Sequence, residues 1–217
     1  MDLQTPTNYA TQPKKRGYHF DHRKDKTCGK WLAGEDLARY VVSWSGEWLS
    51  YGPWLGAPRE PRFFTGPRLL FREIPGNGRR IQATYVEADT YYHGHSITPF
   101  KKHEESDVDL RYLVAIANSR LLSWYGALSL PNFGKETFPK LNPQDIKMLP
   151  IRRVDMTNAA EKKRYGRVVG LAEVILSNKA SNPCADTSAL EREIDQQVYA
   201  LYGLTPEEIK IVEGASK

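Results

Sequence analysis

Three successive helix-start signatures in the last sixty residues constrain the fold of this chain more than any other feature of its sequence. Each places an Asn, Ser or Thr three residues before a Glu, the spacing of a capping box in which side chains and backbone satisfy each other's hydrogen bonds. Gly203 follows the second predicted helix, at the position where glycine commonly ends one. The signatures are Asn158 with Glu161, Ser188 with Glu191, and Thr205-Pro206 with Glu208. The segment 157–217 is therefore predicted to be helical.

The part of the chain before these helices has a different pattern of apolar residues. From Cys28 to about Thr98, short apolar runs are separated by glycines and prolines, which is typical of strands joined by tight turns. Gly76-Asn77-Gly78 indicates a hairpin, because Asn-Gly supplies the positive φ angles of such a turn. Together with the helical segment, this pattern predicts an α+β fold.

A helix in the middle of the chain is predicted from an apolar repeat at helical spacing. Asp107 or Asp109 can cap it, and Gly126 is expected to end it. A turn-rich segment over 131–143 and a short strand over 150–154 follow. The α+β fold is thus a β-rich domain with a central helix, followed by C-terminal helices.

Composition limits the classes of protein that the chain can belong to. Residues 1–27 are polar and show neither the helical nor the strand period of apolar residues, so they are predicted to be a flexible leader. They contain no apolar block that would form a signal peptide. Two cysteines, Cys28 and Cys184, without a CxxC pair provide no disulfide framework or zinc motif. No apolar run is long enough for a transmembrane helix, so the predicted location is cytoplasmic.

Charge is unevenly distributed along the chain. The net charge is +5, but residues 1–164 hold 26 Lys and Arg against 18 Asp and Glu, whereas residues 165–217 hold 5 against 8. The positive charge therefore lies in the first three quarters of the chain. A basic body suits a polyanionic partner, and mere solubility is the alternative explanation.

Several short segments occur in a fixed order that is similar to a known family. They are GEDLARY at 34–40, YG at 51–52, PREPRFF at 58–64, PRLLFR at 67–72, NSRL at 118–121, FPKL at 138–141 and LPI at 149–151, with VYALYGLTPEEI at 198–209 near the end. Over roughly Lys30 to Glu213 the chain resembles the TaqI-like C-terminal specificity domains. These are the target-recognition parts of type IIG restriction-modification enzymes and of adenine-specific DNA methyltransferases.

The resemblance implies that residues 28–156 form a DNA target-recognition domain and that its ligand is double-stranded DNA. The Gly-rich cofactor loop and the Asn-Pro-Pro-Tyr or Phe motif of the family's catalytic domain do not occur in the sequence, and Asn132-Phe133-Gly134 lacks the prolines. We therefore expect no catalytic, cofactor or metal site in this chain, and S-adenosylmethionine only on a separate methyltransferase domain. Whether the chain is a fragment or a free-standing module stays open.

A series of six arginines falls within twenty-two residues. The planar guanidinium fork matches phosphate oxygens and the O6 and N7 edge of guanine, so the series predicts a DNA-facing surface. A solvated strand face is the alternative. We expect most of these arginines to meet phosphate rather than bases. The series consists of Arg59, Arg62, Arg68, Arg72, Arg79 and Arg80.

Two further groups are candidate DNA contacts. Tyr51 and Trp54 flank a Gly-Pro turn, where their rings are candidates for stacking on a displaced base, although aromatic residues in β-rich domains usually belong to the core. Lys135, Thr137 and Lys140 lie in a loop that resembles a stretch of type I specificity subunits. The resemblance places these three residues near the duplex.

Functions of other classes remain as alternatives. The C-terminal helices carry apolar stripes that suit a docking surface for a separate catalytic subunit, or simply internal packing. The stripes are Val168, Leu171, Ala172 and Ile175, then Leu190, Ile194, Val198 and Leu201. Zinc ligation by the scattered histidines and a nuclease site near Asp145 are weaker interpretations, because neither set has a complete ligand or catalytic spacing.

Overall fold

The computed structural model describes residues 17–56, 58–87 and 89–214 and has the predicted α+β architecture. Of the flexible leader predicted over residues 1–27, residues 1–16 lie outside the described residues. The prediction is wrong for the remainder, because His19 and Phe20 form a strand that pairs with Trp48 and Leu49. The strands are β1 His19–Phe20, β2 Cys28–Leu32, β3 Leu37–Ala38, β4 Val41–Val42, β5 Trp48–Ser50, β6 Arg68–Arg72, β7 Ala83–Val86, β8 Tyr91–His93 and β9 Ile97–Phe100. The helices are α1 Leu110–Asn118, α2 Arg120–Ser129, α3 Pro143–Lys147, α4 Ala159–Ser181, α5 Ser188–Tyr202 and α6 Pro206–Gly214.

The strands form two main sheets and a small ribbon. One sheet has the order β1-β5-β2-β8 and is antiparallel except for the parallel pair β2 and β8. The second is antiparallel with the order β7-β6-β9, so β6 lies in its centre. Strands β3 and β4 pair only with each other. The hairpin prediction is confirmed in that β6 and β7 pair, and a bridge from Gly76 to Arg80 closes the tip of their connection.

Helix α1 is the centre of the main core. Every residue of α1 except Arg111 is buried, as expected for a helix covered on all sides. It packs against β6 and β7 on one side and against α4 on the other. Asp109 caps the helix by accepting a hydrogen bond from Arg111 N at 2.8 Å, which is one of the two caps that the sequence predicts.

The prediction of one helix ending at Gly126 is wrong, because the chain leaves the helical path at Ser119. Asn118 accepts a hydrogen bond from Ala83 N at 2.9 Å and donates one to Ala83 O at 2.8 Å, so it ties α1 to the edge of β7. Ser119 then caps a new helix through Leu122 N. Gly126 lies inside α2, where its missing side chain leaves room for the Phe133 ring.

The short strand predicted over 150–154 does not form. This segment pairs with no described strand. Its backbone is held instead by two tyrosines, since Tyr112 donates to Arg152 O at 3.0 Å and Tyr202 donates to Pro150 O at 2.6 Å. Side-chain hydrogen bonds therefore replace a sheet ladder at this point.

The C-terminal helices belong to the same core. Asn158 caps α4, Thr187 rather than Ser188 is the cap residue of α5, and Thr205 and Glu208 form the predicted reciprocal cap of α6. Both predicted stripes are internal: of their eight members only Leu190 is more than slightly exposed, and it still packs against the core. Within the described residues, no helix combines the length and the apolar character needed to cross a membrane.

Candidate nucleic-acid interface

The β6–β7 connection and the loop 131–141 form one joined surface. Arg79 donates to Gly134 O at 3.3 Å and to Glu136 O at 3.5 Å, and Leu141 N donates to Glu73 O at 2.7 Å. Two segments that are more than fifty residues apart are thereby fixed side by side. The structure thus brings together four of the predicted contacts, which we name the tip surface: Arg79, Lys135, Thr137 and Lys140. Arg72, at the end of β6, is not among them, because its Nε is buried.

Lys135 and Lys140 of the tip surface remain accessible, whereas Arg79 is half-buried and its guanidinium is bonded to two carbonyls of the loop. Lys135 is exposed and donates to Asn132 Oδ1 at 3.0 Å, while Lys140 pairs with Glu73 at 3.1 Å and keeps nearly half of its surface exposed. Thr137 is exposed. Arg72 is half-buried at the end of β6, next to Glu73. The bond of Lys135 to a neutral amide is weak, so this lysine can exchange Asn132 for a phosphate at little cost, whereas Lys140 is paired with the mostly buried carboxylate of Glu73.

Arg80 points away from the tip surface, although it is adjacent to Arg79 in sequence. It donates to Asn118 O at 2.7 Å, and burial lowers the pKa of its guanidinium. The Arg80 side chain therefore holds the hairpin against the break between α1 and α2. The structure assigns Arg80 an internal position rather than the DNA-facing one that the sequence suggested.

A partly buried ionic cluster lies beside Arg80 and links the β-rich part to α5. Arg39 pairs with Glu191 at 2.8 Å, and Asp195 accepts from Arg120 N at 2.8 Å while its second oxygen lies 3.4 Å from Arg120 Nε. Burial raises the pKa of the Asp195 carboxyl. Breaking such a pair by removing one partner leaves a buried charge uncompensated, so α5 is electrostatically as well as sterically tied to the domain.

Arg68 lies in the core and not on the surface. Its side chain is fully buried, at 0% exposure, and donates to Gly66 O at 2.8 Å and Asp89 O at 3.0 Å. Burial lowers the pKa of its guanidinium to about 10. Arg68 fixes the loop before β6 to the loop before β8, and the prediction of a DNA contact is corrected on this ground.

The Tyr51 ring packs against other aromatic rings of the protein. Its ring stacks on Tyr92 with centroids 4.2 Å apart and meets the edge of Phe64 at 5.2 Å. Its hydroxyl bonds to both the N–H and the carbonyl of Arg59. Because a ring face and the hydroxyl are already occupied, Tyr51 shapes the loop that carries Arg59 and is not placed to stack on a base.

Trp54, Arg59 and Arg62 form the second accessible group of predicted contacts. Trp54 is 41% exposed, covers Gly52 and donates to Ser50 O at 3.1 Å. Arg62 is exposed, pairs with Glu60 at 2.7 Å and lies over the Phe63 ring, while Arg59 is half-buried. This group lies beyond the start of β6, whereas the tip surface lies beyond its end.

A cationic groove that the sequence did not suggest lies beside the Arg62 loop. A cavity of about 510 Å³ is lined by the cations Lys101, Lys102, Arg152 and Arg153 together with the acidic Glu105 and Asp107, and a neighbouring one of about 280 Å³ by Lys147 and Arg153. Lys101 donates to Arg62 O at 3.1 Å, so the groove begins at the Arg62 loop. These cations come from three separate segments, 101–102, 147 and 152–153, which the fold brings together.

Comparison with known proteins identifies the family. A model of the TaqI-like C-terminal specificity domain matches residues 29–151, which is more than half of the chain. The chain belongs to this family. No curated protein matches it.

The same fold occurs in a solved restriction-modification enzyme. The structure of the Type IIL enzyme MmeI in complex with DNA matches with a TM-score of 0.63 at 10% sequence identity. The match covers 100% of this chain and 35% of the MmeI chain. At this identity the similarity shows the fold alone, and the chain spans about a third of the length of MmeI.

Proposed function

We propose that this chain is the sequence-specific double-stranded DNA recognition module of a restriction-modification enzyme that methylates adenine at N6, of the type IIG class. The observation that carries the proposal is the tip surface, in which a specificity-domain fold holds Arg79, Lys135 and Lys140 on two mutually bonded loops. MmeI, which shares the fold, was solved with DNA, and this supports the choice of ligand.

The recognition mechanism divides between two kinds of contact. Cations of the tip surface, the Arg62 loop and the cationic groove neutralise phosphates, and this supplies affinity without sequence information. A few side chains of the rigid loops reach base edges and supply the choice of sequence. Rigidity matters here because a bidentate contact to a base tolerates little displacement.

The chain itself performs no chemistry in this proposal. A separate catalytic domain binds S-adenosylmethionine and extrudes the target adenine from the duplex while the recognition module holds the DNA in register. The partners are therefore duplex DNA and a methyltransferase or restriction domain. A titration with S-adenosylmethionine tests the division of labour: the purified chain should not bind it, and saturable binding would assign a cofactor site to this chain.

Salt dependence tests the phosphate contacts. If about four to six phosphates are neutralised, the logarithm of the affinity for duplex DNA should fall with the logarithm of salt concentration with a slope of roughly −4 to −5. Fluorescence anisotropy of a labelled 30-base-pair duplex, titrated between 50 and 300 mM salt, measures this slope. A flat response, or no retention of DNA at the lowest salt concentration, contradicts the proposed function.

A further inference from the structure

Phe138 is the most exposed of the large apolar side chains in the described residues. Its side chain is 81% exposed, compared with 69% for Leu128 and 41% for Trp54. Single exposed apolar residues are common on protein surfaces, so exposure alone assigns no role. The position of Phe138 is more informative, because it lies between Thr137 and Lys140 in the loop of the tip surface.

The backbone at Phe138 adopts a conformation that phenylalanine rarely has. Its φ angle is +53°, in the left-handed region, and it precedes Pro139. A bulky residue with positive φ is strained, and such strain persists only where the surroundings impose it. A glycine would adopt this conformation freely, yet the chain has a large aromatic ring there.

The loop around Phe138 is fixed at several points. Gly134 N donates to Leu130 O at 2.9 Å and Lys140 N donates to Asn132 O at 3.2 Å. Gly134 packs so closely that an added Cβ would lie 2.9 Å from the carbonyl oxygens of Ala127 and Leu130. Arg79 binds two further carbonyls of the same loop. The ring is therefore held outward on a rigid base, not carried on a mobile loop.

The electrostatic surroundings of the ring indicate the chemistry of its partner. Three cations, Arg79, Lys135 and Lys140, belong to the same surface, together with the acidic Glu136 and with Glu73, which pairs with Lys140. Duplex DNA combines anionic phosphates with apolar base faces a few ångströms apart. A single aromatic ring among phosphate-binding cations matches that combination, because aromatic side chains stack on bases and wedge between base steps.

We propose that Phe138 is a wedge that inserts into the base stack of the bound duplex, while the neighbouring cations hold the phosphates on either side. This inference rests on the proposed function and adds to it a specific contact that opens a base step. The energy of DNA deformation depends on the base step, so the wedge contributes to sequence choice without any hydrogen bond to a base.

The test compares four proteins on one duplex. Wild-type protein first enriches a duplex from a randomised pool, and 2-aminopurine is then placed at successive positions of that duplex, where its fluorescence rises on unstacking. Phe138→Ala removes the ring, Phe138→Trp retains an aromatic wedge, and Leu128→Ala removes a similarly exposed apolar side chain on α2. Thermal unfolding of each protein checks that the fold is retained, as expected for exposed positions.

With wild-type protein we expect a several-fold rise in fluorescence at one position. Phe138→Ala should abolish this rise and weaken binding about tenfold, within the range for loss of one stacked base, with an unchanged salt slope because no charge is removed. Phe138→Trp and Leu128→Ala should both behave as wild type.

Equal affinity of Phe138→Ala and wild type for duplex DNA of any sequence overturns the wedge, as does the absence of any unstacked position with wild type. A protein-docking role for Phe138 would give that same outcome on DNA. Failure of wild-type protein to bind any duplex instead overturns the proposed function, so the two failures are distinguishable.

Discussion

Deleting residues 188–217 should abolish cooperative unfolding of the remaining chain. The deletion removes α5, whose Ile194, Val198 and Leu201 are each no more than 4% exposed. Burial of three such aliphatic side chains contributes about 5 to 9 kcal/mol, which is comparable to the whole stability of a typical domain. Arg39 and Arg120 would also lose the carboxylates of Glu191 and Asp195.

The measurement is the thermal transition followed by circular dichroism. The matched control is deletion of 206–217 alone, because Val212 is the one buried residue of α6. That shorter deletion should lower the midpoint but retain a cooperative transition. If the longer deletion instead melted like the full chain, the C-terminal helices would be a separate docking element, as the alternative interpretation of their apolar stripes holds.

Replacing Arg79, Lys135 and Lys140 together by alanine should nearly eliminate DNA binding at moderate salt. Each phosphate contact adds about 0.9 to the slope of log affinity against log salt concentration. If the wild-type and variant proteins bind equally at 1 M salt, the loss of three contacts makes the variant bind roughly 500-fold more weakly than wild type at 0.1 M salt. The slope itself should become less steep by about 2.7. Anisotropy titrations of wild-type and variant proteins at several salt concentrations measure both quantities.

The control for this variant removes the same charge elsewhere. Lys179, Arg192 and Lys210 lie on the three C-terminal helices, and their joint replacement by alanine also removes three positive charges. Its affinity for DNA should stay within about threefold of wild type, because separated surface charges are screened beyond about 10 Å at 0.1 M salt. Equal losses in both variants would indicate a non-specific effect of net charge and would contradict the assignment of the tip surface.

Local signals in the sequence were sufficient for the helical part of the fold. Asn158 accepts hydrogen bonds from Ala160 N and Glu161 N, and Thr205 and Glu208 cap each other, as their spacing predicts. These interactions involve residues two or three positions apart, so a short stretch of the sequence contains both partners. The break between α1 and α2 also has a local cap residue, Ser119. The position of the break is fixed, however, by the two hydrogen bonds between Asn118 and the distant Ala83.

Which of the arginines are buried and which lie on the surface was not predictable from the sequence. Arg68 and Arg79 occur in the same basic run, yet one is buried between carbonyls and the other lies on the tip surface. Alternation along β6 predicts that Arg68 and Arg72 share a face, but whether that face is covered depends on how the sheet β1-β5-β2-β8 packs against it. Long-range packing decides this, and no short pattern encodes it.

Neither the exposure of Phe138 nor the cationic groove was predictable from the sequence. A Phe beside a proline in a turn-rich segment is compatible with the core as well as the surface, and the left-handed backbone becomes evident only in three dimensions. Lys101, Lys147 and Arg153 come from separate segments that the fold brings to one groove. Patterns of neighbouring residues do not predict a surface that forms from distant segments.

Sequence-specific DNA recognition is tested most directly by selection of duplexes from a randomised pool by the purified chain, followed by sequencing of the retained DNA. We expect enrichment of one short sequence, bound at least about a thousandfold more tightly than unrelated duplex at the same salt concentration, as is usual for specific DNA recognition. Retention of DNA without enrichment of any sequence would contradict it, since phosphate contacts alone bind every duplex alike.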